Sequence, residues 1–207
     1  MINEQKNLQN YLKYLMYIQS KLDKFFAAQT PYIFCEKGCS KCCKNARFPY
    51  SDVEMKYLIL GTQTLELKVQ KQIEQKIDEI IKEKERLNGK KIYHDCPFLI
   101  DGSCAVYIYR GVVCRAFGLM TNKDDKTLGV PMCCFEGLNY SNVVNLKTKK
   151  ISVYKFKKLK TDIEPLSYNA SYNFLTDNDF ERIFDFSFGE KKFMLDWFYE
   201  YRKFLDN

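Results

Sequence analysis

Four cysteines lie within nine residues of this chain, spaced as Cys35-x3-Cys39-x2-Cys42-Cys43. Five further cysteines follow downstream: Cys96, Cys104, Cys114, Cys133 and Cys134. A thiolate is a soft, charged ligand, and short spacings let one loop turn several sulfurs toward a common centre. The pattern therefore predicts a metal ion or an iron–sulfur cluster, with the downstream cysteines supplying the remaining ligands from other parts of the fold.

The number of cysteines and the expected compartment help to choose between metal binding, thiol redox chemistry and disulfides. Nine cysteines in 207 residues is an odd number, which does not suit a closed disulfide framework. The first residues lack a basic segment followed by an apolar run, and no stretch approaches the roughly 18 apolar residues of a membrane span. We therefore expect a cytoplasmic protein without a membrane segment. Because a reducing compartment keeps thiols free, metal binding is favoured over thiol redox chemistry and over disulfides.

Apolar residues at helical spacing mark the first half of the chain. Steps of three and four from Leu8 to Phe26 predict a helix that Pro31 terminates before the first cysteine. Ser51 and Glu54 have the form of a capping box, which predicts a helix start. The same helical spacing continues to Leu87, and Gly89 supplies a left-handed stop.

Two hairpins are predicted between residues 96 and 131. Short apolar runs on either side of Asp101-Gly102 are typical of a hairpin, which would bring Cys96 and Cys104 close together. A second hairpin joins segments 116–121 and 127–131 across residues 122–125. It would return Cys133 and Cys134 toward the first cysteines.

The C-terminal segment is strongly aromatic. Thr176-Asp177-Asn178-Asp179 resembles a helix start, and the stripe from Phe193 to Leu205 predicts a helix that contributes to the core. Together these patterns predict an α+β fold. We expect a mostly α-helical single domain, 1–207, in which a cysteine-rich loop and a β-hairpin form a metal-binding region at 31–134.

The adjacent Cys42 and Cys43 point in different directions, so both are not expected to bind one tetrahedral ion. A 4Fe-4S cluster takes one thiolate per iron and suits ligands on separate loops, whereas zinc would be held by four of the same sulfurs. Either centre carries a formal charge of about −2, which needs compensation when buried. Six cations near the cysteines are candidates for that role: Lys37, Lys41, Lys44, Arg47, Arg110 and Arg115.

Other motifs point less clearly to a function. His94 is the only histidine and is interpreted as incidental, so no Ser-His-Asp or Cys-His-Asn set is proposed. The glycines are isolated, which argues against a phosphate-binding loop. A run of lysines between Lys147 and Lys160 includes Tyr154 and Phe156, and we interpret it as a solvated surface rather than a nucleic-acid site.

The cysteine motifs resemble those of the YkgJ-like cysteine-cluster family, a zinc- or iron-chelating domain. The resemblance covers residues 35 to 134 and includes Cys96-Pro97-Phe98-Leu99 and the block from Asp101 to Arg115. The family pattern Cys-x-Ile-Tyr-x-x-Arg-Pro-x-x-Cys-Arg is matched with Val106 in place of isoleucine and Gly111 in place of proline. More distantly, the cysteines are similar to those of flagellin lysine-N-methylases, which join an iron–sulfur centre to S-adenosylmethionine.

The resemblance implies a metal-binding protein with a redox or accessory role, most simply through an iron–sulfur cluster. It implies that Cys39, one of Cys42 and Cys43, Cys104 and Cys114 are ligands, and that further ligands or a second site come from Cys35, Cys96 and Cys133. Two alternatives stay open. One is an S-adenosylmethionine-dependent protein lysine methyltransferase, and the other is a zinc-stabilised module that binds a protein or nucleic acid. If the chain is an enzyme, it is such a methyltransferase or an oxidoreductase, with a protein as its expected partner or substrate.

Overall fold

The fold is a mixture of helices and small sheets in which helices predominate. The computed structural model describes residues 3–36, 38–44, 47–88, 90, 92–122, 128–169 and 178–205. The α-helices in this part of the chain are α1 (Glu4–Ala28), α2 (Asp52–Gln63), α3 (Leu67–Arg86), α4 (Val112–Ala116), α5 (Val153–Lys158), α6 (Asn178–Phe184) and α7 (Met194–Leu205). Four short 3-10 turns lie at Thr30–Tyr32, Lys41–Cys43, Tyr107–Tyr109 and Met132–Glu136.

The strands form four small sheets. They are β1 (Pro49–Ser51), β2 (Leu99–Ile100), β3 (Ser103–Cys104), β4 (Met120–Asn122), β5 (Leu128–Gly129), β6 (Val144–Asn145), β7 (Lys150–Ile151), β8 (Ser167–Asn169) and β9 (Lys191–Phe193). Strand β4 lies between β5, to which it is antiparallel, and β8, to which it is parallel. The remaining pairs, β1 with β9, β2 with β3 and β6 with β7, are antiparallel.

The predicted first helix is confirmed and extends beyond the predicted range. Asn3 caps α1 by accepting a hydrogen bond from the Gln5 amide at 2.9 Å, which satisfies one of the free donors at the helix start. The apolar face of α1 is buried through Tyr11, Tyr14 and Ile18. Tyr14 lies among the rings of Phe180, Phe184, Phe186 and Phe188, so the N-terminal helix packs on the C-terminal part of the chain.

The single helix predicted from Ser51 to Leu87 is wrong, because the chain turns at Thr64 and continues as two helices, α2 and α3. The start is as predicted, since the Glu54 carboxylate accepts from the Ser51 amide at 2.8 Å. At the break, the Thr64 hydroxyl donates to the Gly61 carbonyl at 2.8 Å, and the side-chain amide of Gln70 donates to the Leu65 carbonyl at 2.7 Å. The apolar spacing hides this break because it resumes in α3. The predicted stop at Gly89 lies outside the described residues.

Both predicted hairpins are present as strand pairs. In the first, Leu99 pairs with Cys104 across a turn in which Asp101 has φ 47° and Gly102 has φ 76°. Two positive φ values in succession are those of the tight turn that Asp-Gly favours. In the second, β4 pairs with β5, while residues 123–127 lie outside the described part of the chain.

The aromatic C-terminal helix contributes to the core as predicted. Trp197 and Phe198 are almost fully buried, in one hydrophobic cluster with Met55 of α2, Ile77 of α3 and Phe98 beside the first hairpin. Strand β9 enters α7 directly and pairs with β1, so this helix lies against the residues that follow the first cysteines. The predicted cap at Thr176 and Asp177 falls outside the described residues. No helix in the described ranges is long and apolar enough to cross a membrane.

Gly61 allows α2 to pack closely against the 3-10 turn at Tyr107–Tyr109. A Cβ at this position would lie 2.2 Å from Cγ of the Tyr109 ring, a distance that would force the ring or the helix to move. Tyr109 directly precedes Arg110, so this contact also fixes the position of the Arg110 backbone.

Replacing Gly61 by alanine tests this packing, because the expected change in the free energy of unfolding has the opposite sign to that of most Gly→Ala substitutions in helices. In an unconstrained helix interior, Gly→Ala stabilises by up to about 1 kcal/mol. At Gly61 we expect the substitution to lower the free energy of unfolding by about 1–3 kcal/mol, because of overpacking against Tyr109. Urea unfolding of Gly61→Ala measures this loss of stability, and the same substitution in a Tyr109→Ala background is the control. Equal effects in both backgrounds would contradict the contact.

Candidate cysteine site

The nine cysteines are delivered by five separate parts of the fold. Cys35 and Cys39 lie in the loop after the Thr30–Tyr32 turn, and Cys42 and Cys43 lie in the turn that ends this loop. Cys96 precedes β2, Cys104 is in β3 and Cys114 is in α4. Cys133 and Cys134 lie in the 3-10 turn Met132–Glu136.

Five of these residues form what we call the inner thiol group: Cys42, Cys43, Cys96, Cys104 and Cys114. The Cys42 and Cys43 sulfurs are 3.9 Å apart, and the Cys96 amide donates to the Cys43 carbonyl at 2.8 Å, which joins the two loops. Each thiol of the group is close enough to another to influence its pKa. The group packs against the hydrophobic cluster that contains Phe98 and Trp197.

Three other cysteines form the outer thiol group: Cys35, Cys39 and Cys133. The Cys133 thiol is influenced by both Cys35 and Cys39, and an ion pair of 2.5 Å between Lys41 and Glu136 ties their two turns together. Cys35 also interacts with Cys42, so the two groups are neighbours. The ligand set implied by the resemblance, Cys39 with Cys104 and Cys114, is thus divided between the two groups.

Cys134 differs from its neighbour Cys133. Its side chain is fully buried in a separate hydrophobic cluster with Tyr32, Met120 and Tyr140. The nearby cation that influences it is Lys155, which donates to the carbonyl of Ser141 and to that of Val144 in β6. Of the adjacent pair, Cys133 is the one directed toward the other cysteines.

Hydrogen-bond donors point at the sulfurs of the inner group. Backbone amides of Phe98 and Val106 donate to Cys96 and Cys104, each two residues after its cysteine. The Tyr50 hydroxyl accepts from the Gly111 amide at 3.2 Å and lies 3.2 Å from the Cys114 sulfur, toward which its proton is free to point. Such donors stabilise a thiolate and orient it, as outer contacts do around metal-bound sulfur.

Burial opposes ionisation of most of these thiols. It raises the pKa of Cys114 to about 12 and that of Cys96 further, because a thiolate without compensation is costly away from water. Cys42 is the exception, since a hydrogen bond from Cys43 lowers its pKa to about 7, with a smaller contribution from the Arg110 charge. In the absence of a metal the inner group therefore holds one readily ionised thiol among protonated ones.

Arg110 is the cation that faces the inner thiol group. Burial raises the pKa of Cys104, and the Arg110 charge offsets part of that increase; the same charge contributes to the lowered pKa of Cys42. The Arg110 guanidinium stacks on the Tyr107 ring at 3.6 Å. Its Nε is buried and has no hydrogen-bond partner among the described residues. This is an unsatisfied donor beside a set of sulfurs.

The other predicted cations have different partners. Lys44 pairs with Asp95, and Arg47 lies over the Phe193 ring at 5.1 Å. Arg115 donates to the carbonyls of Arg110 and Ile108 and to Gln19 of α1 at 2.7 Å, so it braces the Tyr107–Tyr109 turn against α1. It also forms part of an open groove of about 640 Å³ along α1. Lys37 lies outside the described residues.

Two residues that support the sulfurs were not predicted from the sequence. Tyr50 is in β1, and Asn139, which is fully buried, donates to the Cys35 sulfur at 3.3 Å. Neither is in a cysteine motif, and Asn139 is 104 residues from Cys35. A partial signal existed at Gly111, where the resembling pattern has proline. A Cβ there would lie 2.7 Å from the Tyr50 ring, so Gly111 makes room for Tyr50.

The thiols do not close on a common centre. Among the residues that the structure describes, no three histidine, cysteine, aspartate or glutamate side chains are arranged so that they could hold a metal ion. His94 hydrogen-bonds through Nδ1 to the Asp95 carbonyl at 2.9 Å, near the surface. The prediction that the eight cysteines of the inner and outer thiol groups are metal ligands therefore stays a prediction.

Comparisons with known proteins do not extend this description. No family model matches the chain, and neither the curated proteins nor the solved structures contain a match. The resemblance to the YkgJ-like family therefore depends on the motifs alone.

The pKa pattern predicts the order in which metal-free protein reacts with iodoacetamide. At pH 7 a larger fraction of Cys42 than of Cys96 or Cys114 is ionised, because the pKa of Cys42 is lowered and burial raises those of the other two, and the thiolate is the reactive form. We expect Cys42 to be modified well before the other two, with the difference narrowing above pH 9. Peptide mass spectrometry after short exposures measures the order, and equal rates for Cys42 and Cys114 at pH 7 would contradict it.

Proposed function

We propose that the chain binds a thiophilic metal centre through the inner thiol group, with an iron–sulfur cluster as the preferred occupant. Its role would be electron transfer or support of another protein's redox reaction. When bound, the cluster would supply reversible one-electron chemistry, and the protein would hold it and tune its potential. The residues that would hold it are Cys96, Cys104, Cys114 and one of Cys42 and Cys43.

The unsatisfied Arg110 side chain is the observation that carries this proposal. Leaving a buried donor without a partner costs about 1–3 kcal/mol, and among the six buried side-chain atoms without a partner in the described residues, Arg110 Nε is the one that belongs to a cation. Arg110 Nε lies in the neighbourhood of Cys42 and Cys104. An anionic centre ligated by those sulfurs would give this donor an acceptor and would receive the charge compensation that a buried anion needs.

The donor set fits a soft metal in chemistry, although the sulfurs do not yet surround one point. Five thiols come from four parts of the fold, and the backbone amides of Phe98 and Val106 donate to two of them. The high pKa values of Cys96 and Cys114 mean that a metal would have to displace their protons. Binding would therefore release protons, and it would require the side chains of the inner thiol group to turn toward one centre.

The alternatives predict different compositions. A zinc-stabilised module would contain zinc without sulfide and would be colourless, whereas the methyltransferase would require S-adenosylmethionine as well as the cluster. The methyltransferase alternative is supported by the motif resemblance only. Anaerobic purification followed by iron, acid-labile sulfide and zinc analysis and a visible spectrum distinguishes the three. Zinc alone after anaerobic reconstitution would favour the module.

Replacing single cysteines tests which sulfurs hold the centre. We expect Cys114→Ala to lower iron and sulfide content at least several-fold, because it removes a ligand of the inner group. Cys134→Ala is the matched control and should retain full content, since Cys134 packs among apolar side chains. Both variants are reconstituted anaerobically and analysed per folded protein by circular dichroism and metal analysis. Full content in Cys114→Ala would contradict the proposed ligand set.

The role of Arg110 is tested by the reduction potential of the reconstituted protein. Reduction adds negative charge, so removing a neighbouring cation by Arg110→Gln should lower the potential. Lys44→Gln is the control, because Lys44 pairs with Asp95, and it should leave the potential close to that of the wild type. Spectroelectrochemical titration gives both values. A larger shift in Lys44→Gln than in Arg110→Gln would contradict the assignment.

A further inference from the structure

The outer thiol group contains the two accessible sulfurs of the chain. Cys35 and Cys39 are exposed, whereas the other seven cysteines are buried or partly buried. A thiol must be reachable by solvent before it can exchange with a dissolved disulfide. Cys35 and Cys39 are therefore better placed than the inner thiol group for exchange with dissolved disulfides.

A tight turn brings these two residues together. The Cys39 amide donates to the Glu36 carbonyl at 3.0 Å, which reverses the chain between them. Gly38 has φ 91°, a conformation that favours glycine, and nothing lies within 4 Å of where its Cβ would be. The reversal brings the two residues close enough for Cys39 to influence the pKa of Cys35, although they are four residues apart.

Asn139 fixes the position of Cys35. Its side-chain amide donates to the Cys35 sulfur at 3.3 Å and to the Gly118 carbonyl at 3.0 Å, while its carbonyl accepts from the Phe34 amide at 2.8 Å. Gly118 has φ 101°, and a Cβ there would lie 2.7 Å from the Asn139 amide nitrogen. The buried asparagine thus uses both ends of its side chain to hold one exposed sulfur and the backbone beside it.

From this geometry we infer that Cys35 and Cys39 form a reversible dithiol–disulfide couple that exchanges with small disulfides such as oxidised glutathione. The inference does not depend on metal binding by the inner thiol group. It gives the outer group a function of its own, as an accessible redox site at the surface beside the buried thiols.

The exchange balances in two steps. The Cys39 thiolate attacks one sulfur of oxidised glutathione, forming a mixed disulfide and releasing one glutathione thiolate, which takes up the proton lost by Cys39. The Cys35 thiolate then attacks the Cys39 sulfur and releases the second glutathione. Two protein thiols are oxidised and one glutathione disulfide is reduced to two thiols. Cys39 is the attacking residue because Asn139 and Gly118 cover one side of the Cys35 sulfur.

The test uses the full chain, reconstituted with iron and sulfide, in anaerobic glutathione buffers of varied ratio. Samples are quenched in acid and alkylated, then reduced and alkylated with a second mass label. We expect the fraction of the peptide that carries the second label on both Cys35 and Cys39 to rise with oxidised glutathione and to fall again with reduced glutathione. Metal content, measured on the same samples, reports separately on the inner thiol group.

Two variants make the result decisive. In Cys35→Ser, the disulfide should be lost and a glutathione adduct should accumulate on Cys39, because the second step is blocked. In Cys134→Ala, the Cys35–Cys39 disulfide should form as in the wild type. The inference is overturned if no Cys35–Cys39 disulfide forms at any ratio, or if Cys35→Ser gives no adduct on Cys39. It is also overturned if both thiols resist alkylation in the reconstituted chain and Cys39→Ser loses metal.

Discussion

The buried carboxylate of Glu54 is the constraint on which the positions of the other elements depend. Its side chain is 4% exposed and has neutral donors as its hydrogen-bond partners. One oxygen accepts from the Ser51 amide and hydroxyl, and the other accepts from the Val112 amide at 2.8 Å. A buried charge is tolerated when such donors satisfy it, so losing these hydrogen bonds would destabilise the fold. The start of α2 is thereby joined to the start of α4, which carries Cys114 and follows Arg110.

The local signals in the sequence predicted the fold well. The capping box at Ser51, the Asp101-Gly102 turn and the apolar stripes of α1 and α7 each have a short-range cause, and each is present. The break after Gln63 could not be predicted from periodicity, because hydrogen bonds of Thr64 and Gln70 side chains decide it. The pairing of β1 with β9 was also hidden, since it joins residues more than 130 positions apart, such as Ser51 and Lys191.

The candidate site was predictable in composition but not in arrangement. The motifs identified the cysteines, and the first hairpin correctly implied that Cys96 and Cys104 approach each other. The division into inner and outer thiol groups depends on long-range contacts, such as that of Asn139 with Cys35, which no spacing encodes. Arg110 could not be separated from Lys44 or Arg115 by sequence, because all three lie close to cysteines. Their hydrogen-bond partners decide which one faces the sulfurs.

The two thiol groups are linked by charge through Cys35 and Cys42, each of which is disfavoured as a thiolate when the other is ionised. Four thiolates of the inner group holding a zinc ion or an oxidised 4Fe-4S cluster would place a formal charge of about −2 beside Cys35, and like charges repel strongly in a partly buried environment. The nearby cations give limited relief, because Lys41 is paired with Glu136 and Lys44 with Asp95. Both the protonated dithiol and the disulfide of Cys35 and Cys39 are neutral, so this repulsion acts on the thiolate alone. Ionisation of the inner group would therefore hold Cys35 as a neutral thiol and slow its attack on the mixed disulfide, so that the buried site influences the exchange rate of the exposed one without sharing a ligand.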